Sequence, residues 1–159
     1  MARQKLNRTR NPQIAFRVSP DAVKRFSRLV HLTRRPGTFY NTEALLMLMD
    51  EMDSGRLGKA KLQSLTDSLT PRGGAKKQIS FPVAPELMER MDVHTVATGL
   101  SRAALNTVAL LMNLPELEKI YLGEQQIVKE ALVQRVVGKQ ADPLPSVRTK
   151  KTTVRKAVR

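Results

Sequence analysis

Gln13-Ile14-Ala15-Phe16-Arg17-Val18-Ser19-Pro20 places a large apolar residue at every second position and ends on serine followed by proline. Alternation with a period of two marks a strand with one buried face. The Ser-Pro step marks a helix start: the hydroxyl can cap, and proline suits the first helical position, where an N–H goes unpartnered anyway. The pattern returns as Gln78-Ile79-Ser80-Phe81-Pro82-Val83-Ala84-Pro85, at an offset of 65 residues (79 − 14). At the same offset, without gaps, Asn41-Thr42-Glu43-Ala44-Leu45-Leu46-Met47 falls on Asn106-Thr107-Val108-Ala109-Leu110-Leu111-Met112. Leu57-Gly58 falls on Leu122-Gly123, and Leu62 on Ile127. Separated blocks in one ungapped register indicate a duplicated unit, and a repeat constrains the fold before any element is assigned.

After the first strand, Ala22, Val23, Phe26, Leu29, Val30 and Thr33 follow helical spacing, with Lys24, Arg25 and Arg28 facing away. Arg35-Pro36-Gly37 breaks that helix. A second helix runs to about Asp53 on Phe39, Leu45, Leu46, Met49 and Met52, with Gly55 as its stop. Leu57 to Leu69 holds weaker helical spacing. In the second copy Leu87, Met88, Met91, His94 and Thr95 take the core positions, and Gly99-Leu100-Ser101 makes the turn. Ser101 then caps a helix carrying Leu105, Val108, Ala109, Leu111 and Met112. Pro115 predicts an end or kink near Leu114, with a short helix restarting there. Glu124 to Val137 predicts one more amphipathic helix, packed against its own domain. The methionines Met47, Met49, Met52, Met88, Met91 and Met112 sit at core spacing and read as core filler.

The resulting organisation is a basic arm over 1–11, a first unit with trailing helix over 12–70, and a connector over 71–77. A second unit with trailing helix spans 78–138, and a basic tail 139–159. The arm and tail are too polar to offset their ordering entropy and are expected to stay disordered. Each unit has the size at which a lone core is marginal, so the two copies need each other. Each also contributes a single strand, whose backbone groups need a partner. Antiparallel pairing of the two strands meets that need. Ile14, Phe16, Val18, Ile79, Phe81 and Val83 then point into a core made by helices. Gln13, Ala15, Arg17, Gln78, Ser80 and Pro82 point out. Proline cannot donate to a ladder, so Pro82 must sit where a backbone N–H would face away from the partner strand.

A strand–helix–helix unit opened by Pro12-Gln13-Ile14-Ala15-Phe16-Arg17-Val18-Ser19-Pro20 resembles the ribbon-helix-helix (Arc/MetJ) DNA-binding family. The Gly99-Leu100-Ser101-Arg102 junction is similar to that family's helix-to-helix turn. Two units in one chain are similar to the TraY-like variants found among conjugation accessory proteins. The resemblance covers about residues 12–53 and 77–114. It implies a mainly α protein in which two ribbon-helix-helix units form an intramolecular pseudo-dimer with a two-stranded antiparallel ribbon, plus an extra C-terminal helix and basic tails. It further implies that Gln13, Ala15 and Arg17, with Gln78 and Ser80 secondary, meet base edges in the major groove. Arginine can pair bidentately with guanine and glutamine with adenine. Phosphate contacts are implied at the start of each unit's second helix, at Gly37 and Thr38 in the first copy and Ser101 and Arg102 in the second. Pro82 stands where the first copy has Arg17, so the two halves are expected to read DNA unequally.

The chain has 28 Lys and Arg against 14 Asp and Glu, a net charge of +14, which points to a polyanionic partner. Double-stranded DNA leads, with Arg3, Lys5, Arg8 and Arg10 of the arm adding phosphate contacts. Further copies of the protein on DNA, and a protein partner at the C-terminal helix or tail, are the other expected partners. No apolar run is long enough for a transmembrane helix, and no membrane partner is expected. No cysteine is present, so disulfides, thiolate metal sites and cysteine nucleophiles are excluded. Neither histidine has a second ligand spaced to help it bind a metal; His94 is expected to be buried and hydrogen-bonded. No phosphate loop or nucleophile–base set stands out, so no catalysis and no cofactor are expected. The function expected is a cytoplasmic, sequence-specific DNA-binding protein, either a transcriptional repressor or an accessory factor for plasmid or phage DNA processing. The rival is a structural or protein-interaction scaffold, or a non-specific nucleic-acid binder, whose basic tails dock on an acidic partner.

Overall fold

The order of elements is strand β1 (Gln13–Val18), helices α1 (Pro20–Thr33), α2 (Gly37–Asp53) and α3 (Lys59–Leu69), strand β2 (Lys77–Pro82), and helices α4 (Pro85–Thr98) and α5 (Arg102–Gln140). The structure, a computed structural model, describes residues 11–70 and 73–140. It is mainly helical, with a small two-stranded antiparallel sheet. Described residues up to Gln125 form one compact unit, and those from Gln126 belong to a second.

The duplication governs the first of these units element by element. α1 and α4 are both 14 residues long and begin at Pro20 and Pro85, 65 apart. α2 and α5 begin at Gly37 and Arg102, again 65 apart. The strand register, Gln13↔Pro82 through Val18↔Lys77, sets Ala15 opposite Ser80, its own equivalent in the second copy. Ala15 and Ser80, at equivalent positions of the two copies, therefore face each other at the centre of the ribbon.

Local chemistry explains the ends. Ser19 Oγ accepts from the Ala22 amide (3.3 Å) and starts α1; Ser101 Oγ accepts from Ala104 (3.1 Å) and starts α5. Gly99 closes α4 at φ 75°, a left-handed conformation that glycine adopts without steric cost. β1 alternates exposed and buried residues at every step. Its Ile14, Phe16 and Val18 join Ala22, Phe26 and Leu29 of α1, Tyr40, Leu45, Leu48 and Met49 of α2, and Leu105, Val108 and Leu110 of α5 in one core. Val83 is buried with them, while Ile79 and Phe81 are half-buried. Met49, Met88 and Met91 are buried core residues, and Met47, Met52 and Met112 pack against the core.

At the centre of this core two asparagines at equivalent positions meet. Asn41 Nδ2 donates to Asn106 Oδ1 (3.2 Å) and Asn106 Nδ2 donates to Asn41 Oδ1 (2.7 Å), with both side chains buried. Each amide satisfies the other, which is what burial of such groups requires.

The helix is not interrupted at Pro115. α5 neither ends near Leu114 nor restarts, and what was read as a separate helix over 124–137 is its continuation to Gln140. A proline inside a helix forfeits one hydrogen bond and costs about 3 kcal/mol. Its flanking Leu114 and Leu117 are fully buried, each contributing about 1.5–3 kcal/mol. Asn113 adds to this by donating to the carbonyls of Ala44 (3.1 Å) and Ala109 (3.0 Å). Burial outweighs the defect. In the stretch expected to pack against its own domain, Ala131, Leu132 and Val133 are exposed, the last two at 54% and 60%. Of the basic arm (1–11) and tail (139–159), residues 1–10 and 141–159 lie outside the described residues, while 139 and 140 belong to the end of α5.

Candidate nucleic-acid interface

The outer face of the ribbon follows from its hydrogen-bond phase. Val83 N–H donates to the Pro12 carbonyl (2.9 Å), so that pair is a hydrogen-bonded one. Bonded and non-bonded pairs alternate along an antiparallel ladder. Gln13–Pro82, Ala15–Ser80 and Arg17–Gln78 are therefore the non-bonded pairs, whose Cα atoms approach to about 4.5 Å and whose side chains stand close together. Pro82 occupies a position that needs no N–H, as expected of it. Gln13, Ala15, Arg17, Gln78 and Ser80 are all exposed on this one face, and Pro82 is half-buried. Ser80 Oγ donates to Gln13 Oε1 (3.2 Å), linking the strands at the ribbon's centre. Arg17 stands at one end of the face with Lys76 and Lys77 near it in sequence and register, while among the described residues the Gln13–Pro82 end carries no charge.

The residues expected to anchor phosphate lie at equivalent helix starts but in unlike states. Gly37 and Thr38 open α2, whose N-cap Pro36 offers no side-chain acceptor. Gly37 is required there by close approach: a Cβ would lie 2.9 Å from Phe81 Cε1 and 3.1 Å from Phe26 Cε1. Ser101 opens α5 and is committed as its cap. Arg102 is engaged by Asp92 through two hydrogen bonds, Nε to Oδ1 at 2.6 Å and Nη2 to Oδ2 at 2.7 Å. The hydrogen bonds from Arg102 hold the Asp92 carboxyl below the usual carboxylate range. Arg102 therefore meets an acid of its own chain, which the repeat did not indicate. The arm candidates Arg3, Lys5, Arg8 and Arg10 lie outside the described residues.

Beside the ribbon, α1 and β2 bound an open groove of about 390 Å³ lined by Val23, Phe26, Ser27, His31, Gly37 and Phe81, among others. The Phe26 and Phe81 rings are 5.4 Å apart at its floor.

Two further sets of residues emerge only in the folded chain. Arg25 of α1 forms a bidentate pair with Glu118 of α5 (3.0 and 2.8 Å). Its equivalent, Arg90 of α4, donates to Asp53 (2.7 Å) and Asp50 (3.0 Å) at the end of α2. Glu118 is the equivalent of Asp53, so one ion pair is built twice, once between each pair of equivalent positions. His94, expected to be buried, is instead half-buried and hydrogen-bonded to Asp53 (2.6 Å). The bond from Arg90, then that from His94, holds the Asp53 carboxyl below the usual range. The offset of 65, applied to the charged residues, was the signal that would have found this pair. Among the described residues no group of three or more histidines, aspartates or glutamates is placed to hold a metal, and no helix is long and apolar enough to cross a membrane.

Compared with models of known protein families, with curated proteins and with solved structures, the chain matches none.

Proposed function

We propose that this chain binds duplex DNA in the manner of a ribbon-helix-helix dimer, with its two halves as the two subunits and its ribbon laid in the major groove. The observation that carries the reading is the outer face of the ribbon: paired exposed side chains, with polar Gln13, Arg17, Gln78 and Ser80, at the centre of a chain of net charge +14. A two-stranded ribbon fits the B-DNA major groove, and these side-chain types match base edges there. Arg17 leads recognition as a donor to guanine, with Gln13 next. Ala15 and Ser80 lie at the ribbon's centre, where small side chains let the backbone approach the base edges. Gln78, opposite Arg17, is secondary. In that role the protein acts as a repressor, or as an accessory factor marking a plasmid or phage DNA site for other machinery.

The test is selection of binding sites from a random duplex pool at moderate salt, repeated with Arg17→Ala. An enriched motif that the variant binds about 1–3 kcal/mol more weakly is expected, the discrimination a bidentate contact supplies. Binding with no enrichment, falling steeply with salt, would sink the reading and leave basic segments holding phosphate on a scaffold protein.

A further inference from the structure

The two halves share a fold but not a surface. Over residues 20–38 the cations Lys24, Arg25, Arg28, Arg34 and Arg35 oppose only Asp21, a net +4 with histidine neutral. Over the equivalent 85–103, Arg90 and Arg102 are outnumbered by Glu86, Glu89 and Asp92, a net −1. On the solvent face of the first helix, Lys24 is replaced by Glu89, Arg28 by Val93 and, at the helix end, Arg34 by Gly99. Burial does not explain the replacement, because Val93 is itself 68% exposed.

Internal pairing widens the difference. Both arginines of the second segment are engaged by acids of the chain, Arg90 by Asp50 and Asp53 and Arg102 by Asp92. In the first segment Arg25 is engaged by Glu118, and Arg35 stacks over the rings of Phe39 and Tyr121 (4.8 and 5.2 Å to the centroids). Lys24, Arg28 and Arg34 are exposed and, among the described residues, form no ion pair. They lie on or at the end of α1, whose Ser27 and His31 border the groove along β2. These cations share α1 with residues that border the groove, and the equivalent positions of the second copy, Glu89, Val93 and Gly99, are acidic or apolar.

We infer that Lys24, Arg28 and Arg34 form a one-sided clamp on the DNA backbone, gripping the phosphates that pass along the β2 flank, while the opposite flank is held weakly. The inference rests on the proposed DNA-binding reading and adds a direction to it: the protein sits on its site in one orientation, with one DNA strand carrying most of the backbone contacts. Phosphate contacts fix position and orientation without reading sequence, so a protein with two unlike flanks becomes a polar mark on DNA.

The full-length protein carrying Lys24→Gln, Arg28→Gln and Arg34→Gln tests this on the duplex selected by the wild type. Each lost phosphate contact lowers the slope of log K against log salt by about 0.9, so the triple variant should lose about 2 to 3 from that slope with its sequence preference intact. Ethylation of DNA phosphates should interfere with wild-type binding mainly on one strand. A wild-type slope in a folded triple variant overturns the clamp, as does interference spread equally over both strands. An unchanged slope together with a loss of self-association in sedimentation would assign the stripe to contact with a second copy instead. If the wild type selects no duplex, the DNA-binding reading fails and the clamp with it. If the wild type selects a site that the triple variant binds with the same slope, only the clamp fails.

Discussion

Replacing Asn41 by leucine should cost this protein a large share of its stability, and replacing Asn106 as well should restore most of it. Asn41 and Asn106 are 1% and 0% exposed and exchange two hydrogen bonds. Asn41→Leu keeps the number and branching of the heavy atoms but leaves Nδ2 and Oδ1 of Asn106 buried without partners. A buried polar group stripped of its partner costs about 1–3 kcal/mol, so two such groups give about 2–6 kcal/mol. That is a substantial part of the 5–15 kcal/mol typical of a whole domain. Asn106→Leu should cost the same, since the pair is reciprocal. The double variant has no orphaned group, and exchange of both partners for apolar groups of similar shape is near neutral. Two single losses summing to about 4 kcal/mol or more, set against a double near zero, give a coupling well beyond the roughly 0.5 kcal/mol scatter of independent sites. Urea unfolding of the four proteins, followed by far-ultraviolet circular dichroism at constant m-value, measures it. A double variant as unstable as the sum of the singles would refute the reasoning. It would mean that the asparagines contribute as separate packing groups and not as a pair.

Gly37→Ala should lower stability by about 1–3 kcal/mol, because the new methyl must displace the Phe81 and Phe26 rings. Gly58→Ala, with nothing within 4 Å of the added carbon, should change it by under about 0.5 kcal/mol. Thermal unfolding compares the two, and equal losses would remove the steric explanation. For Asp53, whose folded carboxyl is held below its usual range, the ion pair is complete above the unfolded pKa of about 3.9 and lost as pH falls through the folded value. Stability should therefore decline more steeply on acidification below about pH 4 in the wild type than in Asp53→Asn, by a modest amount because the group is half exposed. Urea midpoints across that range that run parallel in the two proteins would dismiss the pair as an acid-sensitive contact.

Much of the architecture can be read from short stretches of sequence. The alternation in Ile14, Phe16 and Val18 gives β1, the Ser19-Pro20 step starts α1, and Gly99 followed by Ser101 separates α4 from α5. These signals act over a few residues, through side-chain direction and backbone capping, so they survive being read one at a time. The outward set Gln13, Ala15, Arg17, Gln78 and Ser80 follows from the same alternation once the strands are paired. The reading went astray where the outcome depended on distant neighbours. Pro115 carries a local instruction to stop, and only the burial of Leu114 and Leu117 overrides it. Arg102 looks free in sequence, yet Asp92 lies ten residues away on the preceding helix and takes it. His94 occupies a position that is core in the first copy but meets a carboxylate in the second.

By itself the sequence determined that there are two copies, where their strands and first helices begin, and that the whole carries a large positive charge. Those properties are written in periodicity, caps and composition, each confined to one segment. The tertiary structure decided which groups of the two copies face one another: Asn41 with Asn106, Arg25 with Glu118, Arg90 with Asp53, and Ala15 opposite Ser80 in the ribbon. It also decided which cations remain unpaired among the described residues. Partners many residues apart along the chain become neighbours only through burial of the shared core, and a charge becomes available to a ligand only after the fold has assigned acids to the rest.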